Sequence, residues 1–220
     1  MKRRIIVFFA LFLILCFIFL CIKKKQLNIK FQENNNNYYL SPQEKTLLQE
    51  GDIILRHGFG LISDAITKFS NDTYPISHCG VIVFDNDSSI AVVHTVSNSL
   101  VEIDGMQKDN LDKFVKNSHL GSIIVVRYRY KDSISNKKIA QQTKLYLQKE
   151  IPFDDKFDFQ DSSEFFCTEM IWRIFYKALN VNIFNTSNKE TYNAMQFSPF
   201  LDTTNFQIII NHFDTLVYGD

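Results

Sequence analysis

The sequence contains few cysteines, and this limits how the fold can be held together. Only four of the 220 residues are cysteine, and two of them, Cys16 and Cys21, lie in an apolar segment near the N-terminus. Cys79 and Cys167 remain in the rest of the chain. Two cysteines do not make the disulfide framework of a small secreted domain, so the sequence predicts a fold held by hydrophobic packing.

The chain also lacks an excess of charge of either sign. It has 24 lysines and arginines against 24 aspartates and glutamates. Residues 1–25 hold 6 of the basic residues and none of the acidic ones, which leaves 18 basic against 24 acidic residues in the remainder, a net charge of −6. Nucleic-acid binding requires a basic surface, so this balance argues against a nucleic-acid partner.

One long apolar run is present, at residues 5–22, with three basic residues on each flank. Its 18 residues are enough to cross a bilayer. The run ends Phe-Leu-Cys-Ile, without the small residues of a signal-peptide cleavage site, so residues 1–25 are predicted to be a retained membrane anchor. Lipidation at Cys16 or Cys21 is the less favoured alternative, because no small residue precedes either cysteine. The symmetric flanking charges do not predict an orientation.

The composition then predicts a tether and a single domain. Residues 26–40 are polar and include four consecutive asparagines, which is typical of a linker. Ser41, Pro42 and Glu44 combine a capping residue, proline at the first helical position and the capping-box glutamate. The domain is therefore predicted to span residues 41–220, a length that suits one full hydrophobic core.

The hydrophobic patterns within this domain predict an α+β fold, a mostly antiparallel sheet packed by helices. Helical spacing covers residues 42–50, 61–69, 139–147 and 166–179, and β-type runs cover residues 53–55, 78–84, 90–96, 100–103, 122–130 and 206–210.

Two distant segments predict a nucleophilic site. Ser-His-Cys-Gly at residues 77–80 opens a β-type run, and Phe-Cys-Thr-Glu at residues 166–169 opens an apolar helix. A cysteine becomes a strong nucleophile when an imidazole and a helix N-terminus favour its thiolate. Cys167 is therefore predicted to be a nucleophile of lowered pKa and His78 its base. Cys79, one residue from His78, is expected to point to the opposite face of the strand and to lie in the core.

The spacing of the β-type runs also predicts a partner for His78. If residues 84 and 90 pair around a five-residue turn, Gly80 faces His94, and His78 lies diagonally from His94 on the same face. His94 is then placed to orient His78, and Glu102 is the alternative if this register fails.

Two residues before Cys167 are candidates to cap the helix that carries it. Asp161 and Ser162 are candidate caps, and they would place Cys167 near the first turn, where N–H groups stabilise a thiolate or an oxyanion. Glu169 is interpreted as structural support, and Asp154 as a residue that fixes the preceding loop.

No metal site is predicted, because no Cys-x-x-Cys or His-Glu-x-x-His spacing is present. His57, His119 and His212 lie in polar or turn contexts and are predicted to be surface residues.

These motifs resemble a known family. Gly-Asp-Ile-Ile at residues 51–54, the histidine strand, Val-Val-His at residues 92–94, Pro-Phe-Asp-Asp-Lys-Phe at residues 152–157 and the cysteine helix are similar, in this order, to the permuted papain-like enzymes of the NlpC/P60 superfamily, in particular the YiiX/YebB-like group. The resemblance implies a permuted papain-like domain with Cys167 as nucleophile, His78 as base and His94 as orienting residue. The chain departs from the pattern in having Phe153 for tyrosine, Thr168 for serine and His94 where glutamate is frequent.

The resulting prediction is a membrane-anchored thiol hydrolase that needs no cofactor and cleaves an amide or peptide bond, with cell-wall peptide as candidate substrate. The catalytic domain is expected outside the cytoplasmic membrane. Two alternatives stay open: a lipid-directed acyltransferase or thioesterase, since the scaffold also resembles lecithin:retinol acyltransferase-like proteins, and a non-catalytic module that binds cell-wall peptide.

Overall fold

The computed structural model describes residues 11–12, 14–21, 23–24, 35–129, 133–184 and 196–215, and divides the chain into the units Met1–Asn37 and Tyr38–Asp220. In the first unit the described residues between positions 11 and 24 are helical. The predicted anchor at residues 5–22 includes residues 5–10, 13 and 22, which lie outside the described residues. Among the residues that are described, no helix has both the length and the apolar character needed to cross a membrane.

The second unit begins just before the predicted capping box. Tyr38 and Leu40 are buried, so the last residues of the predicted tether lie in the core. The Ser41 hydroxyl accepts the Glu44 N–H at 3.2 Å, and the Glu44 carboxylate accepts the Ser41 N–H at 2.7 Å. This reciprocal pair is the predicted capping box, and it starts the first helix.

A six-stranded antiparallel sheet forms the centre of this unit, with the spatial order β4-β3-β2-β1-β5-β6. The strands are β1 (Ile53–Arg56), β2 (His78–Phe84), β3 (Ile90–Val96), β4 (Gly105–Asn110), β5 (Ile124–Tyr128) and β6 (Phe206–Asn211). The helices are α1 (Pro42–Leu47), α2 (Leu61–Ser70), α3 (Leu111–Lys116), α4 (Ser133–Gln148), α5 (Cys167–Leu179) and α6 (His212–Thr215), and a 3-10 turn covers Ser198–Leu201.

Hydrophobic layers cover both faces of the sheet. Alternate residues along a strand point to opposite faces, so β2 contributes Cys79 and Val81 to one layer and Ile82 to the other. The first layer packs under α4 and α5. The second includes Phe114 of α3. The predicted α+β class with an antiparallel sheet is confirmed.

The motif Gly-Asp at residues 51–52 is structural. The buried Asp52 carboxylate binds the Arg127 guanidinium through two oxygens, at 2.7 and 2.8 Å. Gly51 has a φ of 84°, and a Cβ there would lie 2.4 Å from the carbonyl oxygen of Asn136. The motif therefore fixes the entry of the chain into β1.

The strand predicted at residues 100–103 is wrong. Its apolar side chains Leu100, Val101 and Ile103 are exposed on a turn, and β4 begins instead at Gly105. A Cβ at Gly105 would lie 2.2 Å from the carbonyl oxygen of Ile151, so only glycine allows this approach. The sequence did not predict β4 because four of its six residues, 107–110, are polar and show no hydrophobic alternation.

Candidate active site

The β2–β3 hairpin has the predicted register. Phe84 pairs with Ile90, and Val81 pairs with Val93, so the turn between the strands has five residues. His78 Nε2 lies 2.9 Å from His94 Nδ1, which confirms the expected juxtaposition of the two histidines. A Cβ at Gly80 would lie 2.5 Å from Val92 Cγ1 and 3.2 Å from His94 Cβ, so glycine leaves the room that the imidazoles need.

The histidines contact a third polar residue, and the sequence did not identify this residue. His94 Nε2 lies 3.3 Å from Asp109 Oδ2, and the other oxygen of this buried carboxylate accepts a hydrogen bond from Lys113 Nζ at 2.7 Å. Asp109 lies on β4, the strand that the sequence pattern did not reveal. Glu102, the alternative orienting residue, is exposed on the preceding turn.

The carboxylate determines which imidazole nitrogens carry protons. An ionised Asp109 can only accept, so His94 donates from Nε2 and its Nδ1 becomes an acceptor. His78 must then donate to it from Nε2. The lone pair of a neutral His78 is therefore on Nδ1, which is the arrangement of a base oriented by its neighbour.

Burial keeps both histidines neutral at pH 7. Burial lowers the pKa of His78 well below its usual value, and the nearby charge of Arg56 lowers it further. Burial also lowers the pKa of His94, although Asp109 opposes this effect. The Arg56 guanidinium lies 4.1 Å from the centre of the Phe114 ring and donates to the Phe114 carbonyl oxygen at 2.8 Å. This arginine was not predicted to belong to the site.

Cys167 is the first residue of α5. Its predicted caps are wrong, because the helix begins after Phe166, and Asp161 instead accepts the Ser163 N–H at 2.8 Å in an earlier turn. No side chain caps the helix, and the backbone N–H groups of Cys167 and Thr168 in its first turn help to lower the pKa of the Cys167 thiol.

The strongest influence on this sulfur comes from Cys79. The Cys79 thiol donates a hydrogen bond to the Cys167 sulfur, and this bond lowers the pKa of Cys167 more than any other contact, while burial opposes it. Burial raises the pKa of Cys79 well above its usual value, so Cys79 remains the thiol donor. Cys79 lies in the core as expected, but its contact with Cys167 was not predicted.

The nucleophile and the histidines lie at the same end of β2 but on opposite faces of the sheet. The backbone N–H of Cys79, the neighbour of His78, also donates to the Cys167 sulfur. No hydrogen bond in the described part of the chain joins this sulfur to an imidazole nitrogen. The structure thus brings His78 and His94 into contact but does not bring either of them to Cys167, because Cys79 and Cys167 pack in the layer under α5 whereas both histidines contact Phe114 in the other layer.

The motif at residues 152–157 positions the start of α5. The backbone N–H of Phe165 donates to the carbonyl oxygen of Pro152 at 3.0 Å, and the backbone N–H of Asp154 donates to the carbonyl oxygen of Phe165 at 3.3 Å. The buried Asp154 carboxylate accepts the Lys156 N–H at 2.8 Å, which is the loop-fixing role that was expected.

Glu169 has the structural role that was predicted. Its buried carboxylate accepts a hydrogen bond from Arg173 Nε at 2.6 Å. Burial raises the pKa of Glu169 to about 7, against the opposing effect of Arg173.

The three remaining histidines are half-buried rather than exposed, which corrects the prediction that they are surface residues. His212 Nε2 lies 2.5 Å from the Glu44 carboxylate and its Nδ1 contacts the Tyr38 hydroxyl. The rings of His57 and His119 lie 4.4 Å apart. The partners of these histidines are distant in sequence, so their burial could not be predicted from the local pattern.

Comparisons with known proteins agree with this architecture. Residues 47–205 match the model of a family described as permuted papain-like amidase enzymes, YaeF/YiiX, C92 family. The crystal structure of the metalloprotein YiiX from Escherichia coli O157:H7 is similar in fold, with a TM-score of 0.59 and 20% identity, over 74% of this chain and 97% of that one. No curated protein matches the chain. Because the family model spans most of the sequence, this chain belongs to the permuted papain-like amidases, a family of papain-like amidase and peptidase enzymes.

Proposed function

We propose that this protein is a thiol amidase in which Cys167 is the nucleophile, His78 the general base and acid, and His94 the residue that orients His78. The observation that carries the proposal is the hydrogen-bonded series from His78 through His94 to Asp109, together with a helix-start cysteine of lowered pKa at the same end of β2. His94 does not occupy the Nδ1 lone pair of His78, and for transfer to this atom the His78 side chain must turn toward the sheet face on which Cys167 lies.

The reaction follows from these positions. The Cys167 thiol gives its proton to His78 Nδ1, and the sulfur attacks the amide carbonyl carbon. N–H groups at the start of α5 bind the oxyanion. The protonated His78 then gives its proton to the leaving amine, which leaves a thioester on Cys167. His78 next takes a proton from water and the resulting hydroxide attacks the thioester; the departing Cys167 sulfur then takes this proton back from His78, which restores the thiol and releases a free carboxylic acid.

The substrate we propose is a peptide or amide of the cell envelope, and we propose that an N-terminal anchor at residues 5–22 holds the domain near it. The support is the apolar run itself and the family, whose members are amidases. The domain is proposed to lie outside the cytoplasmic membrane.

A screen of the full-length protein in detergent against peptidoglycan fragments, peptide amides and lipid acyl esters tests the reaction. Cys167→Ala should abolish turnover and leave the free energy of unfolding close to that of the wild type. Cys21→Ser serves as the matched control, since it alters an exposed free cysteine outside the site. Amide cleavage that persists in Cys167→Ala would refute the assignment of the nucleophile.

Membrane topology separates the envelope amidase from the lipid-directed alternative. Alkaline phosphatase and fluorescent protein, fused after Lys25 or Asp220, report whether that point is outside or inside. We expect phosphatase activity at both points. Fluorescence without phosphatase activity would place the domain in the cytoplasm and favour an acyl-lipid or acyl-protein substrate.

A further inference from the structure

A second cluster of polar side chains lies where α2 approaches the turn before β5. His57 follows β1, Asp64 lies in the first turn of α2, and His119 follows α3. One potential ligand atom from each of these residues lies within 4.8 Å of the other two. In the described part of the chain, metal-ligating side chains reach this spacing in this group, which contains neither Cys79 nor Cys167.

The backbone holds the two imidazoles in place. The His119 N–H donates to the carbonyl oxygen of His57 at 2.9 Å, and Gly58 forms an isolated bridge with Ser118. These bonds bring the two rings to a centroid separation of 4.4 Å. Phe59 packs against the His119 ring at 4.5 Å and shields it on one side.

One atom of the cluster lacks a hydrogen bond. His57 Nε2 is buried and has no hydrogen-bond partner. Asp64 Oδ1 lies 3.6 Å from this nitrogen, which is too long for a hydrogen bond. Buried polar atoms are almost always satisfied, so an unsatisfied nitrogen that faces a carboxylate requires an explanation.

A metal ion between the two groups accounts for this geometry. Ligands at about 2.0–2.1 Å around a tetrahedral Zn²⁺ lie roughly 3.3 Å from each other, close to the observed nitrogen–oxygen separation. Neutral imidazole is an ordinary zinc ligand at pH 7. Two neutral imidazoles and one carboxylate form a ligand set that suits Zn²⁺ better than Mg²⁺ or Ca²⁺.

We propose that His57, Asp64 and His119 bind a Zn²⁺ ion. The three side chains leave a fourth tetrahedral position for water or an anionic group. The ion lies near the histidine end of the sheet, because Arg56, the residue before His57, pairs with His78 across β1 and β2. It joins the segment after β1 and the first turn of α2 to the turn before β5, which is distant from both in sequence.

Zinc titration of the full-length protein in detergent, after reduction and treatment with EDTA, tests the site. We expect one Zn²⁺ per chain and a midpoint of thermal unfolding raised by about 5–10 °C at saturating zinc. His119→Gln and Asp64→Asn should each weaken binding by at least about 100-fold, because each removes a direct ligand. His212→Gln is the matched control, since it removes a half-buried imidazole that pairs with Glu44 instead, and should bind zinc as the wild type does.

Thiols also bind zinc, so the titration is repeated in Cys167→Ser. The proposal predicts unchanged zinc affinity in this variant and tetrahedral Co²⁺ absorption without a thiolate charge-transfer band. Zinc binding that disappears in Cys167→Ser but survives in His119→Gln would overturn the proposal, as would the absence of zinc binding in the wild type. If His119→Gln does not fold, Asp64→Asn decides, because its carboxylate is at the surface and 37% exposed.

Discussion

Asp109→Asn tests the part of the site that the sequence did not reveal. Burial alone would raise the pKa of Asp109, but hydrogen bonds from His94 and Lys113 lower it from 3.8 to about 2. This difference corresponds to about 2 kcal/mol of favourable interaction with the ionised carboxylate at pH 7. We therefore expect Asp109→Asn to lower the free energy of unfolding by about 2 kcal/mol at pH 7.

The sign of the pH dependence follows from the lowered pKa. The stabilisation is present in full above the unfolded pKa and is lost as the pH falls through the folded pKa. The difference between wild type and Asp109→Asn should shrink to roughly half by pH 3. Urea unfolding of both proteins between pH 3 and pH 7 measures this difference in the free energy of unfolding. A stability difference that does not change with pH would refute the assigned interaction.

The same variant should affect catalysis through the imidazole protons. An asparagine at position 109 can donate as well as accept, so it no longer forces His94 to donate from Nε2. We expect turnover of an activated ester to fall by about 10-fold or more. Lys113→Met is the control, since its ammonium is 63% exposed and should contribute less than about 1 kcal/mol to stability. Unchanged turnover in Asp109→Asn would show that the carboxylate does not orient the histidines.

Three further predictions concern the surrounding groups. Cys79→Ala removes the thiol donor and should raise the pKa of Cys167, measured as the pH dependence of iodoacetamide alkylation, whereas Cys79→Ser should stay closer to wild type; an unchanged profile in Cys79→Ala would contradict the contact. Arg56→Met removes a cation that lowers the pKa of His78, so the acidic limb of the kcat/KM profile should move to higher pH, and a shift to lower pH would exclude this role. Glu169 has a pKa raised from 4.5 to about 7, so the wild type should lose about 3 kcal/mol of stability as the pH rises from about 4.5 to 7, and Glu169→Gln should remove this slope; equal slopes in urea unfolding would show that the carboxyl is already ionised at low pH.

The sequence predicted the parts of the fold in which local pattern and environment agree. β2 and β3 are buried and β-branched, and both have the predicted boundaries. The five-residue turn at residues 85–89 fixed their register, which is why the contact between His78 and His94 could be predicted.

Elements without such a pattern were missed. α3 and α6 have six and four residues, too short to show a helical period. β4 places polar Gln107 and Asp109 on the sheet face of the histidines. These polar residues stand where a core strand would have apolar ones, so the strand lacks hydrophobic alternation. The exposed apolar turn at residues 100–103 resembled a strand more closely than the true strand did.

The remaining parts of the site depend on contacts between distant segments. Cys79 and Cys167 are 88 residues apart, and no local signal indicates that their sulfurs meet. Asp109 reaches His94 only through the β3–β4 register. The proposed zinc ligands likewise come from the segment after β1, the first turn of α2 and the turn before β5, and they share no sequence motif.

The sheet order has a consequence for how the chain folds. The hairpin that carries both histidines joins neighbouring strands, whereas β1 pairs with β5 through residues as distant as Ile53 and Val126. Closing the longer loop costs more chain entropy before its contacts form. We expect the hairpin to form early and the helix that carries Cys167 to dock late, so that the chain acquires its reactive thiol site only after most of the sheet exists. Pulsed alkylation of Cys79, which is wholly buried in the folded protein, should report this late step during refolding, after the backbone amides of the hairpin are protected from hydrogen exchange.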